Sequence, residues 1–352
     1  MKRLFILFLF LPLFVSAQDL ESKIQEAEAI VQEYFDEANL PGMAVSVYVG
    51  DEMVWSDGFG YANVENQIPI DPSKTKFRIG SVSKTLTAAA LGDLLEKRML
   101  DLDTIVQTYV PTFPEKEYPI TVRQVAGHTA GIRHYRGIEF MSSKLYATVD
   151  EGLTIFQDDP ILFQPGTRYS YSSYGWNLIS AIVEGASEEE FLGYMDQHIF
   201  TPLGMINTEP EWTNQEIENL TSFYVPENGS YQVAPYVDNS YKWAGGGFIG
   251  TTEDLVRFGV AYLDYDFQSE ETHVELMTPL TLENGETTNY GVGWRTWSQD
   301  GQTWLGHTGG SVGGTTLFML NKEHRIVIAF TINQSNVDFD GLHWTLVDIF
   351  LD

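Results

Sequence analysis

The chain has 352 residues, a formal charge of −29 at neutral pH and no cysteine. The acidic balance disfavours nucleic acid and anionic membranes as partners. The missing cysteines exclude disulfides, thiolate metal sites and a cysteine nucleophile. Length and aromatic content suffice for one sizeable core.

Lys2 and Arg3 precede an apolar run from Leu4 to Val15, followed by Ser16-Ala17-Gln18. A charged start, a short apolar centre and a small residue at the cut site predict a secretory signal peptide over residues 1–17. The run is too short for a comfortable membrane span. The expectation is an exported protein, periplasmic or secreted, with one mature domain over 18–352 and no stable membrane span after cleavage.

Leu20 to Leu40 has helical apolar spacing and stops at Pro41-Gly42. Met43 to Trp55 alternates as a strand pair turning at Gly50-Asp51, and strand-like sequence continues to Ile79. An Ala/Leu-rich helix then starts near Ser81 and runs to about Met99. Residues 101–250 read as mostly helical, with Thr121/Gln124 and Ser187/Glu190 as capping boxes and a helix over Tyr174–Gly185. Thr251 opens another helix through Tyr265. Strand signals return at Tyr290–Trp297, Thr303–His307, Thr315–Leu320 and Ile326–Asn333, and Leu342–Leu351 closes the chain as a helix. Strands and a helix at both ends predict an α+β fold. Its antiparallel sheet is built from both termini, flanked by helices, with the helical segment inserted and a cleft at the junction.

Ser81 and Lys84 lie three apart on the predicted helix and so share a face. A hydroxyl needs a base to become a nucleophile, and a lysine discharged by burial is such a base. The helix tip adds unpaired N–H groups for an oxyanion. A second Ser-x-x-Lys, Ser73 to Lys76, follows Pro72 and runs into a strand, so it reads as loop chemistry. A tyrosine of the cluster Tyr169 to Trp176 would lose its proton more easily beside a lysine and relay it to a leaving group. The glycines of His307-Thr308-Gly309-Gly310 permit close approach of a ligand at a strand edge. His128-Thr129-Ala130-Gly131 imitates that run but reads as a structural connection. Gly309 to Gly313 formally matches a nucleophile elbow, but the acid and histidine it needs are crowded into the last turns. No metal-ligand spacing appears, and no cofactor is called for.

Ser81-x-x-Lys84, Tyr171-Ser172-Ser173 and His307-Thr308-Gly309 resemble, in order, the three motifs of the serine β-lactamase and penicillin-binding-protein superfamily. The class C β-lactamase-like branch, with its D-aminopeptidase, D-alanyl-D-alanine carboxypeptidase and esterase relatives, is the most similar. Gly131-Ile132-Arg133-His134-Tyr135 resembles the mitochondrial serine-β-lactamase-like protease branch in particular. The resemblance implies that Ser81 is acylated, that Lys84 helps deprotonate it and that Tyr171 serves as base and acid in turn. It implies an oxyanion hole from the N–H groups of Ser81 and Gly310, with Ser173, His307, Thr308 and Gly309 against the substrate. The implied substrate is a small acyl compound or peptide.

Two positions depart from the family pattern. Ser173 stands where many relatives have Asn, and His307 where many have Lys. A histidine there titrates near neutrality, which predicts weak, pH-dependent carboxylate recognition, poor β-lactamase activity and better turnover of esters or peptides. The alternative from another class is a catalytically silent binding or sensor domain.

Overall fold

The computed structural model describes residues 17–351, so nearly all of the predicted signal segment lies outside the described residues. In chain order the elements are α1 (Ala17–Glu37), β1 (Gly42–Val49), β2 (Glu52–Asn63), β3 (Ile68–Pro69), β4 (Phe77–Arg78) and α2 (Val82–Glu96). Next come α3 (Val122–Ala126), α4 (Val149–Leu153), α5 (Ser173–Ser187) and α6 (Phe191–Met195). They are followed by β5 (Glu209–Pro210), β6 (Tyr224–Glu227), β7 (Ser230–Val233), α7 (Trp243–Gly246), β8 (Phe248–Gly250), α8 (Thr252–Asp264) and α9 (Glu270–Met277). The chain ends with β9 (Arg295–Gln299), β10 (Gln302–Ser311), β11 (Gly314–Asn321), β12 (Ile326–Ile332) and α10 (Leu342–Leu351).

Seven strands form one antiparallel sheet in the order β3-β2-β1-β12-β11-β10-β9, so both chain ends meet at its centre, where Val45 faces Phe330. Period-two alternation splits each central strand between two cores. Ile326, Ile328, Phe330 and Ile332 join Ala27 and Val31 of α1 and Leu346 and Val347 of α10 on one face. Val327 and Ala329 join Leu86 of α2 and Val256 of α8 on the other. With both faces covered, β12 reads as the unbroken apolar run Ile-Val-Ile-Ala-Phe-Thr-Ile, every residue buried.

Helix α2 is buried nearly all round, from Val82 through Gly92, as its Ala/Leu composition requires of a helix with no solvent face. It lies between the sheet and the inserted segment. That segment departs from the helical expectation: only α5 is long, and short helices, single turns and small ladders alternate with irregular chain. The Thr121/Gln124 capping box is present. The Ser187/Glu190 box is not. Ser187 is the last residue of α5 and donates to Val183 O at 2.7 Å, while Glu190 precedes α6 without a side-chain cap. The expected strand from Tyr290 begins only at Arg295, because Tyr290 and Gly291 turn back on Arg295 and Trp294.

A small ladder, β4-β8-β5, delivers the chain to the start of α2. Arg78 secures it: Nε reaches Glu211 Oε2 at 2.8 Å, Nη2 reaches Oε1 at 2.5 Å and Nη1 reaches Val312 O at 2.5 Å. The pair is buried, and its fork geometry fixes orientation as well as charge. One side chain therefore joins the approach to Ser81, the inserted segment and the turn after β10. Among the described residues no helix is long and apolar enough to cross a membrane.

Candidate active site

Ser81 occupies the N-cap of α2 but makes no side-chain cap bond. Its Oγ instead stands 3.0 Å from Lys84 Nζ, as the three-residue spacing on one helix face requires. The Lys84 amine is fully buried and also donates to Gly245 O at 2.5 Å and Ser173 Oγ at 3.3 Å. Burial first, then the positive charges of Lys242 and Arg295, push it well below the ordinary lysine range. A free amine has two N–H bonds and one lone pair. It can donate to Gly245 O and Ser173 and accept the Ser81 proton. Ser73, the competing serine, bonds Asp71 Oδ1 at 2.6 Å in its loop, and Lys76 pairs with Glu209.

The strand side closes on Ser81 through main chain. Gly80 has φ +52°, and a Cβ there would sit 2.7 Å from Gly310 N. A Cβ on Gly309 would come within 1.9 Å of Ile79 O. Glycine at these positions lets two backbones touch where side chains would separate them. Gly309 therefore backs onto the approach to α2 and does not line the cleft, contrary to expectation. Thr308 and Gly310 do line it.

Tyr171 shares the cleft with Ser81, and its ring centroid lies 5.0 Å from Lys84 Nζ. Burial raises its pKa, with the Ser81 contact the first opposing influence. This reverses the expected phenolate: in a dry cleft beside an uncharged amine, desolvation of the anion wins. The motif is held from behind by two histidines, since His128 Nδ1 accepts from Ser172 N and His134 Nδ1 accepts from Ser173 N, each at 3.1 Å. Ser172 donates to Arg133 O at 2.7 Å and caps α5 through Gly175 N. The run from His128 to Gly131 is thus a connection with a task, fixing the second motif. Ser173 turns its hydroxyl toward Lys84 and also lines the cleft.

His307 also differs from expectation. It is buried, with Nε2 2.8 Å from Tyr290 Oη and Nδ1 2.6 Å from Thr308 O. A neutral ring satisfies both contacts, with Nδ1 donating and Nε2 accepting. Burial first, then Lys84, pushes its pKa well below the usual histidine value. It supplies no cation near neutral pH.

The cleft encloses about 390 Å³ and brings Ser81, Tyr171, Ser173, His307, Thr308 and Gly310 together. It also exposes residues to which the motifs assign no role: His134, Tyr135, Phe140, Lys242, Gly245, Gly246 and Arg295. The stretch 131–135 is marked only by its family resemblance, and nothing local in the sequence marks Lys242 or Arg295.

A serine at a helix tip, a buried amine one turn on, a phenol from an inserted segment and a glycine strand edge define a β-lactamase-type serine hydrolase. The Beta-lactamase family model matches residues 27–351. The chain is 33% identical to the human protein "Serine beta-lactamase-like protein LACTB, mitochondrial", over 94% of this chain and 79% of that one. It is 27% identical to a D-aminopeptidase of Gluconobacter oxydans, over 82% of this chain and 54% of the relative. Among solved structures, the octameric penicillin-binding protein homologue from Pyrococcus abyssi superposes with a TM-score of 0.82 at 25% identity, covering 93% of this chain and 77% of that one. The chain belongs to the Beta-lactamase family, in the branch of the serine β-lactamase-like proteins, and is a serine hydrolase.

Proposed function

We propose that the protein cleaves a peptide, amide or ester through an acyl-enzyme on Ser81. The carrying observation is the 3.0 Å contact between Ser81 Oγ and the buried Lys84 amine. Ser81 Oγ attacks the acyl carbon as its proton passes to Lys84 Nζ. The N–H groups of Ser81 and Gly310 face the oxyanion. Tyr171 gives its proton to the leaving group and is reprotonated from Lys84, so no charge is stranded in the cleft. Water then attacks the ester by the reverse sequence, releasing the acid and regenerating Ser81. The relatedness to a D-aminopeptidase supports amides and peptides as substrates, and the neutral His307 supports poor β-lactam turnover.

Intact-mass labelling with a fluorophosphonate, alongside turnover of p-nitrophenyl esters and D-amino-acid amides, tests the reading. Adduct on Ser81 and activity lost in Ser81→Ala are expected. Unchanged turnover in that variant would remove Ser81 as nucleophile, and no adduct with no turnover would favour a silent binding domain. The sequence of residues 1–17 supports export to the periplasm or medium. The N-terminus of the protein made in its own cell checks this by mass.

A further inference from the structure

Lys322 follows β11 at the turn into β12, and its amine rests on α9: Nζ lies 2.9 Å from Nδ1 of His273. The amine also sits 4.1 Å from the centroid of the Tyr265 ring. His273 is buried and stacks on both Tyr262 and Tyr265, with centroids 4.4 Å and 4.9 Å away. A lysine amine beside a neutral ring nitrogen donates to it, so Nδ1 presents its lone pair to Lys322 and the ring hydrogen is on Nε2. Nε2 finds no partner among the described residues. The one atom at which this imidazole can take up a proton therefore faces Lys322. Elsewhere outside the cleft, lysines are held by oxygen: Lys74 by Asp71, Lys76 by Glu209, Lys97 by Asp93, and Lys116 by the carbonyls of Gln157 and Asp159. Lys97 also meets a histidine, with Nζ 3.3 Å from His198 Nδ1, but its carboxylate partner stands at 2.7 Å. Among the described residues no carboxylate bonds Lys322. Burial pushes its pKa down to about 8, opposed through space by Glu270 of the same α9. Burial first, then Lys322, keeps His273 neutral, with Glu96 opposing.

We propose that Lys322 is a nucleophilic lysine, a site of covalent acylation by activated esters, with His273 as its proton acceptor. A lysine seated against aromatic rings with no carboxylate partner gives up its charge readily. The free amine attacks the acyl carbon, forming the N–C bond as the carbonyl electron pair moves to oxygen. The new ammonium passes a proton to the Nδ1 lone pair of His273. Collapse then breaks the bond to the leaving oxygen, which takes that proton from Nδ1, so the products are an amide on Lys322 and a free alcohol, and the ring ends neutral. The amide keeps one N–H for Nδ1, while the cation is lost. The assignment does not depend on the chemistry at Ser81.

The probe is sulfosuccinimidyl acetate at limiting concentration, with the label on each lysine followed by peptide mass spectrometry. At about pH 7.5 Lys322 should be acetylated at least ~10-fold faster than the exposed Lys144, because an amine that titrates lower is free in a far larger fraction. Lys97, with its histidine and its carboxylate, should trail as well. His273→Phe keeps a ring in the stack and removes the lone pair. It should slow labelling of Lys322 at least ~10-fold, less than a positioned base can give because the ester is already activated, and leave Lys144 unchanged. Thermal melting reports whether that variant folds. If it does not, the pH profile of the wild type decides: labelling of Lys322 should level off above about pH 8, while that of Lys144 keeps climbing. Lys144 labelled as fast as Lys322 overturns the proposal. So does a Lys322 profile still rising past about pH 10, as for an ordinary lysine, or a folded His273→Phe variant that labels at the wild-type rate. Label that vanishes from Lys322 in Ser81→Ala also overturns it, since that marks transfer from the acyl-enzyme in place of direct attack.

Discussion

The two walls of the cleft work by different means. The strand wall, β9 and β10 against Gly80, contributes main chain, a threonine, an uncharged imidazole and Arg295 at its edge. The inserted wall contributes the groups whose protons and charges matter, Tyr171, Ser173 and Lys242, and seats the motif on His128 and His134. Rigid geometry comes from the side built by pairing of strands, and chemistry from the side built of irregular chain. A wall of backbone cannot be retuned by side-chain exchange, whereas an irregular wall can change its titratable groups without disturbing a ladder.

Removing the reacting groups should sharpen the contrast most. Ser81→Ala and Lys84→Met should each lower kcat for a p-nitrophenyl ester by at least ~10³-fold, with melting temperature showing that the fold survives. Tyr171→Phe should cost about 10²-fold or more, within the range for a positioned acid or base. It should slow an amide more than a p-nitrophenyl ester, whose leaving group departs without a proton. Equal losses on the two substrates would remove the phenol from leaving-group protonation.

Breaking the strand wall should show in stability as well. Gly309→Ala puts a methyl 1.9 Å from Ile79 O, backbone against backbone. About 1–3 kcal/mol of overpacking strain should appear in a denaturant titration, together with lost activity. Gly193→Ala, whose Cβ would meet only Gln197 Nε2 at 3.8 Å and whose backbone is not left-handed, gives a comparison away from this contact.

The pH dependence separates the walls again. Lys84 must be unprotonated to accept a proton, and its pKa is lowered in the fold, so activity should fall only as pH drops through that lowered value. Lys242→Met removes a positive neighbour, so Lys84 should hold its proton more tightly and the acid limb should move to higher pH. Replacing His307 should leave the position of that limb unmoved, since its imidazole is already neutral. A limb that shifts with His307 would restore it as a titrating participant. The smallest effect is expected from His134→Ala. This frees Ser173 N and should lower kcat several-fold, the cost of one lost neutral hydrogen bond.

Much of this was legible in the residues. Period-two runs gave the central strands, and Ser81 with Lys84 gave a shared helix face. What escaped was decided by burial or by distance along the chain. His307 and Tyr171 looked titratable because a sequence displays a side chain's type but not its dielectric surroundings. Gly309 looked like a substrate contact until Ile79 was found behind it. Lys242 and Arg295 meet at one cavity only after folding, 53 positions apart by their numbering, and no spacing rule joins them. The inserted segment was read as helical because apolar spacing cannot distinguish single turns from full helices.

The abutment of Gly80 on Gly310 carries a last consequence. Because the main chains of Gly80 and Gly310 abut directly, exchanging side chains elsewhere in the cleft does not widen the spacing between them. Selectivity is then free to drift on the opposite bank while that main-chain spacing is inherited, and a side chain at Gly80 or Gly309, whose Cβ would meet backbone at 2.7 Å and 1.9 Å, would force the two strands of chain apart.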